Sequence, residues 1–93
     1  MSDAVDVRCE RSGAGWACRV TVTGGGTSTR HEVAVAGVDL GRLDPGATDP
    51  TDLVRRSFAF LLAREAKESI LRRFELPVMG RYFPDWEEKI RGA

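Results

Sequence analysis

The sequence is short of the residues that most catalytic and metal sites need. It has one histidine and two cysteines among 93 residues, and it lacks the C-x-x-C spacing that usually marks a structural zinc site. Any pairing of a nucleophile with a histidine base would have to use His31. We therefore predict that the protein is not an enzyme and that it holds neither a metal nor a cofactor.

Long apolar runs and an excess of charge of either sign are also missing. No apolar run approaches the roughly 20 residues that span a bilayer, and no signal peptide is visible at the start. Fourteen basic residues balance fourteen acidic ones, which disfavours a nucleic-acid coat or an anionic-membrane binder. We therefore expect a cytoplasmic protein with no membrane partner. Arginine outnumbers lysine twelve to two, a bias that fits a bacterial origin.

Three segments in the first 36 residues alternate between apolar and polar side chains. They read AVDVRCER from residue 4, WACRVTVT from residue 16 and TSTRHEVAVA from residue 27. Such alternation is typical of strands with one buried face, and the glycine-rich stretches between the segments are typical of tight turns. We predict an antiparallel meander over residues 4–36, in which the register of the second hairpin remains open.

Residues 50–74 form the longest stretch without an internal glycine or proline, and strong helix formers fill it. Asp49 is suited to cap its start, Pro50 to occupy the first helical position, and Pro77 to stop the chain beyond its end. We predict one long helix over residues 50–74, reached through a connecting loop, 37–49. This helix would cover the apolar face of the meander.

The predicted helix would carry apolar residues on two faces. Phe58 and Leu61 belong to one stripe, whereas Leu53 and Phe60 lie on nearly the opposite side. The second face needs a cover, which could be the C-terminal segment of the same chain, a second copy, or another protein. The C-terminal segment, 77–91, is rich in large apolar side chains, which rarely sit in a solvated tail.

These elements predict an α+β fold in the order β-β-β-α-α. A three-stranded antiparallel meander would pack on one long α-helix, followed by a short C-terminal helical segment. Residues 1–93 would form a single domain, because a chain of this length can bury a modest core without metals or disulfides.

We interpret the two-faced helix and the aromatic C-terminal segment as signs of a small non-enzymatic interaction domain. It would self-associate through the helix and the C-terminal segment, so the predicted partner is a second copy of the chain or another protein. The residues expected to line the contact are Leu53, Phe60, Leu71, Met79, Phe83 and Trp86.

Two alternative functions remain open at this point. An arginine-rich helix face could bind nucleic acid or another anionic ligand; its residues would be Arg55, Arg56, Arg64, Arg72 and Arg73. The other alternative is a small-ligand pocket between the sheet and the C-terminal segment, lined by Trp16, Phe58 and Trp86.

The two cysteines and the histidine share one face of the predicted sheet. If the first hairpin sets Arg11 opposite Trp16, Cys9 lies directly opposite Cys18 and within reach of a disulfide, although a cytoplasmic protein would keep these thiols reduced. Zinc would accept the three side chains, but a fourth ligand is missing. We favour small buried apolar roles for both cysteines and leave their redox state open.

Overall fold

The computed structural model describes residues 3–91, so the ends of the predicted 1–93 domain lie outside it. This part of the chain is α+β and contains one four-stranded sheet. The strands are β1 (Ala4–Ser12), β2 (Gly15–Gly24), β3 (Thr27–Ala36) and β4 (Arg73–Glu75). The helices are α1 (Gly37–Leu43), α2 (Thr51–Leu62), α3 (Met79–Tyr82) and α4 (Trp86–Arg91), with 3₁₀ turns at Lys67–Ser69 and Leu76–Val78.

The predicted antiparallel meander is confirmed. β1 pairs with β2 and β2 with β3, and Cys9 lies opposite Cys18. The second hairpin, whose register the alternation left open, sets Val20 opposite His31. Gly25 and Gly26 form its two-residue turn with φ of 62° and 82°. Residues with a Cβ are strained in this left-handed backbone geometry, so glycine closes the hairpin at least cost.

The prediction of one long helix over residues 50–74 is wrong. α2 begins at Thr51, where the backbone N–H donates to the Asp49 carboxylate over 2.9 Å, but it ends at Leu62. Residues beyond it turn back to the sheet, where β4 pairs in parallel with β3. Ending the helix early buries Ile70 and Phe74 in the core, which one straight helix with two apolar faces would not achieve. Packing therefore outweighs local helix propensity here.

The predicted connecting loop, 37–49, is partly helical. α1 follows β3 directly and buries Leu40 and Leu43. Its first residue is tied to the first hairpin, because the Gly37 N–H donates to the Ala14 carbonyl over 3.2 Å. The connection thus contributes core residues of its own before the chain enters α2.

The C-terminal segment folds back onto α2 of the same chain. Trp86 is fully buried, and its indole Nε1 donates to Ser57 Oγ over 3.2 Å. The Phe83 ring meets Phe60 edge-on, with 5.7 Å between ring centroids. Of the covers considered for the second apolar face of the helix, the structure contains the one from the chain itself. Within residues 3–91, no helix is long and apolar enough to cross a membrane.

The two faces of the sheet differ in character. On the inner face, valines of all three long strands are buried together with the α2 residues Val54 and Phe58. The outer face carries charged side chains and is exposed. Arg8 and Arg19 lie directly opposite each other on that face, although like charges in this position are unfavourable.

Candidate functional site

An open apolar groove lies where the chain leaves α2 and returns along the edge of the sheet. Its volume is about 170 Å³. Its lining comes from the end of α2, the segment leading to β4, and the 3₁₀ turn with α3: Leu61, Glu65, Ser69, Ile70, Leu71, Phe74, Val78, Met79, Tyr82 and Phe83. We refer to these residues as the apolar groove.

The groove exists because α2 stops at Leu62. Arg64 secures this stop: its guanidinium donates to the Phe60 carbonyl over 3.1 Å and lies 3.7 Å from the centroid of the Phe60 ring. The same side chain reaches Asp85, before α4, at 3.5 Å. Arg64 therefore caps a carbonyl in the last turn of α2 and links this end of the helix to the C-terminal segment.

Two buried polar residues anchor the segment that forms one wall. Lys67 Nζ donates to the Gly24 carbonyl over 2.9 Å. His31 Nδ1 lies 2.8 Å from the Leu71 carbonyl, which can only accept, so this nitrogen carries the proton. His31 Nε2 then accepts from the Thr29 hydroxyl at 2.9 Å. Lys67 and His31 thus both have hydrogen-bond partners, and these bonds connect the wall of the groove to the meander at two points.

The groove has a buried floor and an exposed rim. Ile70, Phe74 and Met79 are buried and form the apolar floor. Leu71 and Tyr82 form the rim and are 47% and 66% exposed. Large apolar side chains left in solvent beside a concave apolar surface are a feature of binding sites.

Two arginines adjoin the rim residues in sequence. Arg72 follows Leu71 in sequence, and Arg81 precedes Tyr82. Within the described range, neither arginine has a carboxylate oxygen within 4.0 Å, unlike Arg73, which lies 2.7 Å from Glu32. Glu65 is the acidic residue among the groove's lining.

The structure distributes the six predicted contact residues between the groove and the core. Leu71, Met79 and Phe83 line the groove. Leu53 and Trp86 are fully buried within the chain, and Phe60 is buried against Phe83. The groove therefore brings together half of the predicted set, and the other half is buried inside the chain.

The five arginines of the predicted anion-binding face do not lie on one helix, because α2 ends at Leu62, before Arg64, Arg72 and Arg73. Arg55 lies 3.9 Å from Asp52. Arg56 donates to Asp52 and Asp44 over 2.9 and 2.8 Å and also to the Ile90 carbonyl. Both guanidiniums on α2 thus have carboxylate partners within the chain, although Arg55 remains exposed.

The predicted small-ligand pocket is divided differently in the structure. Phe58 and Trp86 are fully buried core residues. Trp16 is half-buried at the end of the first hairpin, with the Arg11 guanidinium 5.2 Å from its ring centroid. None of the three lines the apolar groove.

The cysteines, whose redox state the sequence left open, form a disulfide. It joins Cys9 to Cys18 across the first hairpin. In the described part of the chain, no three His, Cys, Asp or Glu side chains come together as metal ligands, and every fully buried side-chain nitrogen or oxygen has a hydrogen-bond partner.

Seven of the ten groove residues were not among the predicted contact residues, namely Leu61, Glu65, Ser69, Ile70, Phe74, Val78 and Tyr82. Ile70 and Phe74 were assigned to a flank of the long helix, so their role depended on where that helix ends. No protein-family model, curated protein or solved structure matches this chain. The geometry of the groove is therefore the basis for the function proposed next.

Proposed function

We propose that this chain is a non-enzymatic interaction domain that binds a segment of a partner protein through the apolar groove. The observation that carries the proposal is the pairing of a buried apolar floor with two exposed rim side chains, Leu71 and Tyr82. Protein contacts draw most of their affinity from a few large side chains seated in such pockets.

The size of the groove favours a protein side chain over a small-molecule ligand. Its volume of about 170 Å³ is below the roughly 300–1,000 Å³ of typical small-molecule pockets. One large aliphatic or aromatic side chain fits it. The rest of the partner segment would then lie over the rim, against Leu71 and Tyr82.

The arginines next to Leu71 and Tyr82 in sequence suggest the chemistry that flanks this anchor. Arg72 and Arg81 have no ion-pair partner among residues 3–91 and lie next to the rim residues in sequence. Carboxylates beside the apolar anchor of the partner protein would form ion pairs with these arginines and would also raise the association rate. The proposed ligand is therefore an apolar anchor residue with acidic neighbours.

A role without catalysis is supported by the use of the reactive side chains. The single histidine is buried and bonded through both ring nitrogens. The two cysteines are joined to each other. These groups stabilise the fold, and none of them lines the groove.

The experiment that tests the proposal is selection of a displayed peptide library on the intact domain, followed by binding titrations with the selected peptides. We expect enrichment of a Leu, Phe or Trp anchor next to Asp or Glu. Leu71→Glu places a charge on the rim and should weaken binding at least about tenfold, since burying an unpaired charge is costly.

Val38→Glu is the matched control. Val38 is 81% exposed on α1 and does not line the groove, so the same substitution there should leave binding unchanged. Selected peptides without a shared anchor, or equal losses in both variants, would contradict the proposal.

A further inference from the structure

β1 is a long strand at the open edge of the sheet. The strand order is β1-β2-β3-β4, so among the described strands β1 pairs only with β2. It spans nine residues, Ala4–Ser12, and contains neither proline nor glycine. Within the described range, no backbone hydrogen bond from another element reaches its outer side. Such an edge is a template for pairing with another strand.

The register of the meander shows which backbone groups face outward. The Gly37–Ala14 hydrogen bond continues the β2–β3 ladder, so even-numbered residues of β2 point their backbone groups toward β3. Odd-numbered residues of β2 therefore bond with the even-numbered residues of β1. The Cα atoms of Cys9 and Cys18 are 4.0 Å apart, which is the spacing of a non-hydrogen-bonded pair. This spacing agrees with the assignment, because Cys9 is odd-numbered and Cys18 even-numbered.

The outward-facing N–H and C=O groups of β1 consequently belong to Val5, Val7 and Cys9, with Asp3 and Arg11 continuing the pattern at either end. Their side chains lie on the inner side of the sheet, and Val7 is buried there. The side chains of the outer face, from even-numbered residues, can then decide which strand docks.

The charges along β1 are complementary to a second, antiparallel copy of the same strand. If a two-fold axis passes through Val7, Asp6 lies opposite Arg8 of the second copy, and Arg8 opposite its Asp6. On the inner face the same arrangement sets Asp3 opposite Arg11. Opposite charges in directly facing positions stabilise a strand pair, and all of these pairs occur twice.

Neighbouring registers are worse. Moving the axis to residue 8 sets Arg8 against Arg8 and Asp6 against Glu10, whereas moving it to residue 6 sets Asp6 against Asp6. An axis at residue 9 pairs Arg8 with Glu10 but places the buried Val7 against Arg11. The charge pattern therefore selects the axis at Val7.

The second copy also relieves an unfavourable contact within the chain. Arg8 faces Arg19 on β2, and its pair with Asp6 of the same strand, at 3.5 Å, is highly exposed and contributes little. In the two-fold arrangement, Asp6 of the second copy lies on the side of Arg8 away from Arg19.

We infer that two copies of this chain pair β1 with β1 in antiparallel orientation about an axis at Val7. The product is a continuous eight-stranded sheet, four strands from each copy. This surface is separate from the apolar groove, so each can be tested without the other.

The test is the molar mass by light scattering after size exclusion, over a dilution series from about 1 mM. We expect about 20 kDa, twice the 10.2 kDa chain mass. Arg8→Asp creates two like-charge pairs and should raise the dimer Kd at least about tenfold. Adding Asp6→Arg exchanges the two charges, restores both pairs and should restore the dimer.

Arg30→Asp is the control, because it makes the same charge change on β3, away from the edge that β1 forms. Amide exchange adds a residue-level readout: the Val5, Val7 and Cys9 amides should become protected as the concentration rises. A monomer at 1 mM would overturn the inference. So would a dimer that the Arg8→Asp chain retains, that the exchanged pair fails to restore, or in which those amides stay unprotected.

Discussion

The buried bond between Trp86 and Ser57 allows a quantitative test of how α4 is held on α2. The indole Nε1 donates to Ser57 Oγ over 3.2 Å, and the Ser57 hydroxyl donates onward to the Leu53 carbonyl over 2.9 Å. Both side chains are fully buried, so water does not replace a lost partner. Ser57→Ala leaves the indole N–H unsatisfied and should cost about 1–3 kcal/mol of the free energy of unfolding.

A double-mutant cycle separates the hydrogen bond from packing. Trp86→Phe removes the donor and some core volume, with an expected cost of about 1–3 kcal/mol. In that background Ser57→Ala strands no donor and should be nearly neutral. The two substitutions should therefore be coupled by about 1–3 kcal/mol.

Urea unfolding of the four proteins, followed by far-UV circular dichroism, measures this coupling without relying on tryptophan fluorescence. Each kcal/mol corresponds to about 4–8 °C in Tm for a domain of this size, so thermal melts provide a second readout. A Ser57→Ala protein as stable as the wild type, or strictly additive substitutions, would refute the reasoning.

Three further predictions concern the hairpins and the start of α2. His31→Phe keeps an aromatic ring in the core but removes the donor to the Leu71 carbonyl, so urea unfolding should show a loss of about 1–2 kcal/mol. Gly15→Ala brings a Cβ within 2.4 Å of the Val35 carbonyl oxygen and should lower Tm, whereas Gly41→Ala, which meets nothing within 4 Å, should not. Hydrogen bonds from the Thr51 side chain and backbone N–H lower the pKa of Asp49. The contribution of Asp49 to stability is therefore complete above the unfolded pKa of about 4, and it is lost as the pH falls through the lower folded pKa. Unfolding of Asp49→Asn should depend less on pH in that range.

The local features of the fold could be read from the sequence. Period-two alternation located the three long strands, and the turn between β1 and β2 placed Cys9 opposite Cys18. The predicted hydrogen bond from the start of α2 to Asp49 is present, from the Thr51 N–H, although Pro50 occupies the N-cap and not the first helical position; such capping depends on residues a few positions apart. These signals are short-range, so neighbouring residues contain them in full.

The end of α2 depends on contacts between residues far apart in the chain. Lys67 bonds to a carbonyl 43 residues earlier, and His31 to one 40 residues later. No periodicity within residues 63–74 reports these partners. The groove therefore could not be predicted as a site, although Leu71 and Met79 were already expected to take part in a contact.

The parallel pairing of β4 with β3 has a consequence for the order of folding. Its contacts join residues about 41 positions apart, as in the bond between Arg73 and Glu32, whereas the meander closes through two-residue turns. Closing such a long loop is entropically costly, and residues 63–72 favour helix locally. We therefore expect the meander to form first and the groove to assemble last, from a segment that must give up transient helix. The wall of the apolar groove that this segment forms should also be the first part of the domain to open. Binding at the groove would then be sensitive to local unfolding.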